Sequence, residues 1–502
     1  MDINSVTPFS DSQLEPNTLA QIALEIAQSS GATIAQVRIA QHDTRGVGLR
    51  DGNVENVASD RSIGLSVRVV KDGAWGFAAT TQLTEKNVVQ AAKHALKMAT
   101  LSGAVSTDRV ELAEEPSYGK VSWRLPVEID PITVSDEEVI ELLRSWHEKV
   151  SVHSIVHHVD VNATMGKDIT FFADLVGNQI TQERDRTSVQ LTAVHIGENG
   201  FDDMRTCAPP AGRGYEYLLG KGWDWETELT NLPEYLSEKT KSPSVTAGSW
   251  DLVIDPTNLW LTIHESIGHA TELDRALGYE ANYAGSSFAT IDKLNNFKYG
   301  SEIMNVTGDR TAAHGLSTVG FDDEGVAAQQ WDLIKNGILV GYQTDRNIAK
   351  KIGLSRSNGC AFADSALHSP IQRMPNVSLQ PGAADLSTDD LISQVDRGIY
   401  IVGDKSWSID MQRYNFQFTG QRFYEIKNGK IVGQLKDVVY QSRTPDFWGA
   451  MSAVGGTKTY LLGGALNCGK GQPGQTAPVS HGCPAAVFRG INVLNGKEQA
   501  GA

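Results

Sequence analysis

Three residues that could bind and use a metal ion lie within the segment 264–269. His264 and His269 offer imidazole nitrogens, and Glu265 directly follows the first histidine. A common zinc-peptidase signature has two histidines at positions i and i+4 of one helix, with the glutamate beside the first as the general base. In this sequence the second histidine follows at i+5, so the pattern is related to that signature but does not match it.

The i, i+5 spacing predicts a local change in the helix. Five residues at about 100° each place the second side chain roughly 140° from the first in a straight α-helix, so the two imidazoles would not point at one ion. The helix must therefore widen or end between them. Gly268, directly before His269, lowers the free-energy cost of a wide turn or a break.

A third ligand is expected from elsewhere in the chain, because catalytic zinc usually takes three protein ligands and keeps one position for water. Cys468 is followed by a glycine, which lets the backbone approach a site closely, and Lys470 is placed to favour its thiolate. Cys483, preceded by His481 and Gly482, looks similar, and the residues alone leave both thiols open.

Each assignment has a simpler alternative. His264 and His269 could merely pack and hydrogen-bond in the core. Glu272 and Asp274 could orient an imidazole N–H as outer partners of the metal site, or could form a solvated helix end.

Other candidate groups favour structural roles. Alternating exposure on a strand explains the histidine cluster at positions 153, 157 and 158. The acidic run 322–324 is interpreted as a turn before Gly325. Arg373 could hold a peptide carboxylate or carbonyl, or form a structural ion pair.

The segment 250–274 predicts a strand followed by the helix that carries the histidines. The strand covers 250–254, Asp255 is a candidate helix N-cap and Pro256 is a candidate first helical residue. Four apolar residues then follow at helical spacing, namely Leu259, Trp260, Ile263 and Ile267.

The first half of the chain predicts an α/β region with an antiparallel sheet. Apolar residues at helical spacing cover 17–30, 83–100 and 136–150, the second behind the cap candidate Thr84. Asp51-Gly52 and Asp72-Gly73 are hairpin signals between alternating runs, and most of 155–200 has the pattern of strands.

Two domains are predicted, 1–235 and 246–502, because the segment 231–245 is polar, contains two prolines and interrupts the periodicity. After its histidine helix the second half is Gly-rich and strand-like, with turn signals at Asn336-Gly337 and Asn428-Gly429. We therefore expect an α+β fold whose C-terminal domain is β-rich, barrel-like and carries the metal helix.

Bulk composition limits the function classes. The formal charge of -16 over 502 residues argues against unaided nucleic-acid binding. Segment 1–16 lacks the pattern of a secretory signal, and no run is long enough for a membrane span. The four cysteines, Cys207, Cys360, Cys468 and Cys483, are few for this length, which favours a reducing, cytoplasmic compartment. Cys207 and Cys360 are interpreted as small buried residues.

The string HESIGHATELD at 264–274 resembles the HExxxH signature of the TldD/PmbA metalloprotease family, specifically its catalytic TldD-type subunit rather than the partner that lacks the motif. The similarity extends over nearly the whole chain. Blocks that resemble the family's, in the same order, are 50–52, 64–69, 72–77, 321–325, 333–339, 373–376 and 467–470.

The resemblance implies a set of site residues. By position the zinc ligands fall on His264, His269 and Cys468, and the catalytic glutamate on Glu265. Cys468 is preferred because its Cys-Gly-Lys block is the one that matches. The segment 481–484 departs from the family pattern, which leaves the roles of its histidine and cysteine open.

The resemblance also implies an N-terminal α/β region, a β-rich C-terminal region and a dimer that encloses its active sites. The dimer partner is a second copy or a motif-less relative, and the substrates are unfolded peptides. A β-rich cleft suits such substrates, because strand edges can pair with an extended backbone.

The expected reaction is peptide hydrolysis, in which zinc makes a water molecule more acidic and Glu265 takes its proton and returns it to the leaving amine. Two alternatives stay open. One is a non-catalytic regulator that binds partner proteins, as an older description of the family as modulators of DNA gyrase suggests. The other is a cysteine peptidase with Cys468 as nucleophile and His264 as base. Retention of all four site residues argues against the regulator. The presence of Glu265 and of a second histidine fits metal chemistry better than a cysteine peptidase.

Overall fold

The structure is a computed structural model that describes residue 9, residues 15–198 and residues 200–499. The expectation about a secretory signal in segment 1–16 falls almost entirely outside these residues.

A seven-stranded sheet organises the first half of the chain. Its neighbours run in the order β3-β2-β1-β5-β6-β4, with β7 also on β6, and every described pair is antiparallel except β4 with β6. The strands are β1 (Ile34–Arg50), β2 (Asn53–Lys71), β3 (Ala74–Thr80), β4 (Lys120–Arg124), β5 (His158–Asp174), β6 (Gln179–Gly197) and β7 (Gly200–Arg205).

Both predicted hairpins are confirmed. Asp51 and Gly52 connect β1 to β2, and Asp72 and Gly73 connect β2 to β3. All four residues have positive φ, between 49° and 76°. Two-residue hairpin turns need this conformation, and Asp-Gly adopts it at low cost.

Four helices cover this sheet in two hydrophobic clusters. Both clusters use alternate residues of the long strands, such as Val37 and Val47 on β1, so the helix pairs cover two ends of the same face. Thr84 caps its helix as predicted, by accepting from the Asn87 N–H. The helices are α1 (Pro16–Ser29), α2 (Glu85–Val105), α3 (Asp136–Ser151) and α4 (Trp225–Lys241).

One local expectation was wrong. The sequence predicts that regular structure is interrupted at 231–245, but most of this segment continues α4, which runs through Pro233 to Lys241. The helix survives the missing proline N–H because Leu229, Leu232 and Leu236 form a buried stripe against α3 and the sheet.

The other face of the sheet is polar and packs on the second half of the chain. Arg68 pairs with Glu324 at 2.7 Å, and Gln182 donates to the Phe321 carbonyl at 2.9 Å. Gly325 has φ 77°, and the Asp322 carboxylate accepts from the Glu324 and Val326 N–H groups. The acidic run is therefore the turn that the sequence predicted.

The second half of the chain is built mainly from strands. They are β8 (Gly248–Ile254), β9 (Val306–Asp309), β10 (Gln330–Lys335), β11 (Ile338–Leu339), β12 (Ala361–Phe362), β13 (Ile371–Gln372), β14 (Asn376–Leu379), β15 (Arg397–Ile409), β16 (Asn415–Lys427), β17 (Lys430–Leu435), β18 (Val438–Arg443), β19 (Met451–Val454), β20 (Leu461–Lys470), β21 (Gln475–Cys483) and β22 (Ala486–Asn495). The helices are α5 (Pro256–Ile263), α6 (Leu273–Ala276), α7 (Arg346–Lys351), α8 (Thr388–Ser393), α9 (Thr444–Gly449) and α10 (Gly496–Gln499).

Five of these strands close into a barrel, which confirms the α+β class and the barrel-like second half. The order is β15-β8-β22-β18-β16, and β16 pairs back with β15. The turn signals at Asn336-Gly337 and Asn428-Gly429 connect β10 to β11 and β16 to β17, as expected. Beside the barrel, β20 and β21 form a two-stranded ribbon that packs on α5.

Within the described ranges, no helix is both long enough and apolar enough to cross a membrane.

Candidate metal centre

The metal helix begins where the barrel strand β8 ends. The Asp255 side chain accepts from the Thr257 N–H, and Pro256 is the first residue of α5, so both predicted cap residues are confirmed. Leu259, Ile263 and Ile267 are fully buried in the barrel core and fix the rotation of the helix about its axis.

The predicted wide turn is present between the two histidines. Residues 264–268 form a π-helical turn, which the His269 N–H closes by donating to the His264 carbonyl. This i→i+5 hydrogen bond absorbs one residue beyond the α-helical repeat, so both imidazoles point to the same side. A Cβ at position 268 would lie 2.5 Å from the Met374 sulfur, so a larger residue there would displace the end of that side chain.

The structure brings His264, His269 and Cys468 together. One nitrogen of each histidine and the cysteine sulfur all lie within 4.8 Å of one another, and all three residues are buried. The Cys468 Sγ is 3.6 Å from the His269 Nε2. Cys468 stands where the β20–β21 register shifts, between Ala465 and Cys468, and this irregularity brings the thiol next to the helix.

His264 has a fixed tautomer. His481 donates from its Nδ1 to the Val377 carbonyl at 2.9 Å, so the Nε2 of a neutral His481 is an acceptor. That Nε2 lies 2.7 Å from the His264 Nδ1, which must therefore carry the proton. The His264 Nε2 is left as a free lone pair, which is the form that binds a metal.

His269 is oriented in the same way by a carboxylate. Its Nδ1 donates to the Glu272 carboxylate at 2.8 Å, which leaves Nε2 as the lone pair that faces Cys468. Glu272 in turn accepts from Lys470 at 3.0 Å and from Arg275 at 3.2 Å. Burial alone would raise the pKa of Glu272, but Lys470, His269 and Arg275 hold it well below its ordinary value.

Burial sets the protonation states of the remaining groups. It lowers the pKa of His264 well below its ordinary value, that of His269 to about 3 and that of His481 to about 4, so all three are neutral near pH 7. It raises the pKa of the Cys468 thiol to about 11. Neutral imidazoles are ready to act as ligands, whereas the thiol must lose a proton to do so.

Glu265 lies on the π turn and is buried beside the three candidate ligands. Burial raises the pKa of Glu265, and a contact with the Arg413 guanidinium together with a hydrogen bond from Trp407 opposes that rise. Arg413 belongs to the turn between β15 and β16.

Several expectations about neighbouring residues are corrected by the geometry. Lys470 does not contact the thiol, because its ammonium binds Glu272, Asp274 and the Gln372 carbonyl. Asp274 therefore orients Lys470 and not an imidazole. Arg373 forms no ion pair with a carboxylate among the described residues, and it donates to backbone carbonyls of the β20–β21 ribbon, including that of Cys468.

Cys483 lies away from the candidate ligands. Its sulfur is fully buried and is 3.7 Å from the Pro256 carbonyl at the start of α5. The histidine of the same segment, His481, is the one that contacts the site. Cys360 is buried as expected, whereas Cys207 is half-buried and lines the cavity described below.

The histidine cluster at 153–158 has structural contacts. The His157 ring packs at a tilt of 31° against that of His195, with centroids 4.8 Å apart, and His158 lies 2.8 Å from the Asp51 carboxylate. The alternation suggested a strand position for His153, but this residue lies in the turn after α3.

A cavity of about 700 Å³ opens onto the metal centre at the junction of the two halves of the chain. One wall comes from the middle of β6, at residues 188–190, and from residues 205–210, and the other from α5, Trp407, Arg413 and the strand β20. The site thus faces a space large enough for several residues of a peptide.

Two residues at the site were missed or left without a role by the sequence reasoning. His481 stood out only as a departure from a family pattern. Arg413 carries no motif and is 148 positions from Glu265, so no local signal connects the two.

Comparisons with protein families agree with the geometry. Residues 247–495 match the model described as the PmbA/TldA metallopeptidase C-terminal domain, and residues 35–99 match the model described as PmbA/TldA metallopeptidase domain 1. A metalloprotease from Methanothermobacter thermautotrophicus is 28% identical over 489 residues, which cover 96% of this chain and 99% of the relative. A zinc metalloprotease TldD homolog from Saccharolobus solfataricus is 24% identical, over 93% of this chain and 98% of its own.

Solved structures share the fold over nearly the whole chain. A proposed modulator of a DNA gyrase from Thermotoga maritima superposes with a TM-score of 0.75 at 16% identity, covering 95% of this chain and 100% of its own. TldE from Thermococcus kodakarensis gives a TM-score of 0.72 at 16% identity, over 95% and 99% of the two chains. At these identities the structures establish the architecture.

Proposed function

We propose, since the chain belongs to the PmbA/TldD metallopeptidase family and is a metalloprotease, that it is a zinc peptidase acting on extended, unfolded peptides. The proposed zinc ligands are the Nε2 atoms of His264 and His269 and the Sγ of Cys468. The observation that carries the proposal is the pair of fixed tautomers, which leave one imidazole lone pair on each histidine, with the Cys468 thiol close to both.

The donor set fits zinc. Two neutral imidazoles and one thiolate leave a net positive charge and an open fourth position, as in other catalytic zinc sites. When bound, the metal would supply a Lewis acid that polarises the peptide carbonyl and makes water more acidic. Two histidines and one cysteine also hold copper in electron-transfer sites, so the choice of zinc rests on the metallopeptidase family and on the relative named a zinc metalloprotease.

Glu265 is the proposed general base. Its carboxylate lies at the same wall of the cavity as the three ligands, so it can take a proton from the attacking water and return it to the leaving amine. Arg413 opposes the effect of burial and so favours the ionised carboxylate that a base requires.

The cavity supports the choice of substrate. Leu461 and residues 463–469 of β20 line one wall, and among the described strands β20 pairs along one edge only, with β21. An extended peptide can hydrogen-bond to such a wall while its side chains are read only loosely. A folded protein would not fit into about 700 Å³.

We also propose that the protein works as a dimer, with a second copy or with a family relative that lacks the metal motif. The fold shared with TldE supports a relative of similar shape as the partner. The cysteines are all unpaired, which supports a reducing compartment such as the cytoplasm.

Metal analysis combined with a peptidase assay tests the proposal. We expect about one zinc per chain after gentle purification, cleavage of an unfolded peptide and loss of cleavage in chelator. A zinc-free protein that cleaves peptides in chelator would contradict the metal mechanism and favour the cysteine peptidase. A zinc-bound protein without peptidase activity, alone or with a relative, would favour the non-catalytic regulator.

A further inference from the structure

The turn that carries Arg413 is held by several hydrogen bonds. Arg413 has φ 64°, a left-handed conformation that a residue with a side chain adopts at a cost of about 1 kcal/mol or more. Its N–H donates to the Asp410 carbonyl at 3.0 Å, and its carbonyl accepts from the Thr444 hydroxyl at 2.7 Å. The Asp410 carboxylate holds the rest of the turn by accepting from the Gln412 and Tyr414 N–H groups. Both ends of the Arg413 backbone are thus anchored.

The side chain of Arg413 is directed into the metal centre. Its Nη1 contacts the Glu265 carboxylate, and the side chain is only 14% exposed. It lines the cavity together with all three candidate ligands. A guanidinium has five N–H donors, and the Nε–H of Arg413 is buried without a hydrogen-bond partner among the described residues. A buried donor of this kind costs free energy unless a ligand satisfies it.

The position of Arg413 relative to the base limits what that ligand is. A general base lies about 2.6–3.2 Å from the water whose proton it takes, and that water attacks the carbonyl carbon of the scissile bond. A guanidinium in contact with Glu265 therefore lies close to the same carbonyl group. The carbonyl oxygen gains negative charge during the attack, and a fixed cation directed at it stabilises such charge.

We propose that Arg413 is a catalytic residue that holds Glu265 in the free enzyme and donates hydrogen bonds to the carbonyl oxygen of the scissile peptide. This inference rests on the proposed peptidase function. In the reaction the water oxygen bonds to the carbonyl carbon, its proton passes to Glu265, and the π electron pair moves onto the carbonyl oxygen beside Arg413. When the carbonyl re-forms, the C–N bond breaks and the amine takes the proton from Glu265.

The test compares Arg413→Met, which keeps an unbranched apolar stem without the guanidinium and its charge, with Arg413→Lys and with the parent. The substrate is an unfolded peptide with both termini blocked. We expect Arg413→Met to lower kcat by about 100- to 1000-fold with little change in KM or zinc content. Its affinity for a phosphinic peptide, whose tetrahedral phosphorus mimics the transition state, should fall by a similar factor. Arg413→Lys should retain part of kcat.

A matched control is Arg443→Met. Arg443 is 57% exposed, pairs with Asp446 and lies outside the cavity, so its loss should leave kcat unchanged. In case Arg413→Met folds poorly, Arg413→Ala with added methylguanidinium gives a second readout, since the free cation should restore part of kcat.

Three results would overturn the assignment. Normal kcat in Arg413→Met would remove the residue from the reaction, and loss of zinc in step with activity would make its role structural. A change confined to KM, and only for peptides with a free C-terminus, would show that Arg413 binds a terminal carboxylate instead. In all three cases the parent enzyme stays active and sensitive to chelator, so the proposed function is unaffected. A parent without chelator-sensitive activity would overturn the proposed function and this inference together.

Discussion

The Nδ1 nitrogen of His264 lies 2.7 Å from the Nε2 nitrogen of His481, a residue 217 positions later in the chain. His481 is fully buried, stacks parallel to Trp260 with ring centroids 6.3 Å apart, and is held at its other nitrogen by the Val377 carbonyl. A chain of two hydrogen bonds therefore runs from the backbone to the candidate ligand and fixes its free lone pair.

We expect replacement of His481 to weaken metal binding. His481→Leu removes the acceptor for the His264 Nδ1–H and should lower zinc affinity by about 10- to 100-fold, the usual effect of losing an outer partner of a ligand. His481→Gln keeps an acceptor and should lose less. Competition with a fluorescent zinc chelator measures both, and equal affinity in His481→Leu and the parent would contradict the orienting role.

Glu265→Gln separates metal binding from the proton transfer. Glutamine has nearly the size of glutamate but cannot act as a base, so zinc content should stay at the parent value while kcat falls by about 100- to 10,000-fold. Zinc analysis and single-peptide kinetics check the two parts. Glu302→Gln, at an exposed position, is the control and should be silent. Near-normal turnover in Glu265→Gln would exclude Glu265 as the base.

The two buried cysteines of the last strands should respond differently to alkylation. If Cys468 binds zinc, alkylation should be slow in the holoprotein and faster after chelation, because coordination occupies the sulfur lone pair. Cys483 is fully buried against the Pro256 carbonyl and should stay unreactive in both states. Mass spectrometry of the modified peptides distinguishes them.

Substitution of the same cysteines gives the complementary result. Cys468→Ala should lose zinc and activity, whereas Cys483→Ala should keep its zinc. The reverse order would make Cys483 the third ligand. Rapid alkylation of Cys468 in an active, chelator-resistant enzyme would instead identify it as a nucleophile.

A prediction independent of the metal concerns Asp185 on β6. Its carboxylate is buried, accepts no hydrogen bond from the described part of the chain and lies 3.7 Å from the Lys167 ammonium. Burial raises its pKa to about 7, and Asp130 and Glu183 add to the rise while Lys167 opposes it. The folded state therefore keeps a proton between about pH 4 and pH 7 that the unfolded chain has lost, so the free energy of unfolding falls as the pH rises through this window.

Asp185→Asn should remove this dependence. At pH 8 the variant should be more stable than the parent by about 1–3 kcal/mol, and near pH 4 the two should be alike. Denaturant unfolding at the two pH values measures the difference. Asp60→Asn, at an exposed position of β2, provides the baseline for loss of one carboxylate. A variant that is less stable than the parent at pH 8 would contradict the prediction.

Much of the local structure could be predicted from sequence because its causes are local. Asp-Gly turns, the Thr84 and Asp255 caps and the spacing of apolar residues on α5 depend on a few neighbouring side chains. The i+5 spacing of the histidines predicted either a wide turn or a break for the same reason, and the structure has the wide turn.

The contacts of the site could not be predicted because they join distant segments. Lys470 was expected to lie beside the Cys468 thiol because it is close in sequence. The fold instead directs its ammonium to Glu272 and Asp274, where a buried pair of carboxylates requires a cation. Arg413 reaches Glu265 only because β15 and β16 pair in the barrel. The helical continuation through Pro233 likewise depended on packing that the polar sequence did not reveal.

The π turn makes the metal helix a spacer of fixed length. Asp255 anchors its start to the barrel, and the turn ends at His269, next to a thiol that belongs to another strand. One residue inserted or deleted between Asp255 and His264 would rotate the whole group of site residues by about 100° and shift it by about 1.5 Å along the axis. Every residue of α5 and of the π turn is buried, so over evolution this segment should keep its residue count and the size of its side chains, and length variation should accumulate instead in the loops that connect the barrel strands.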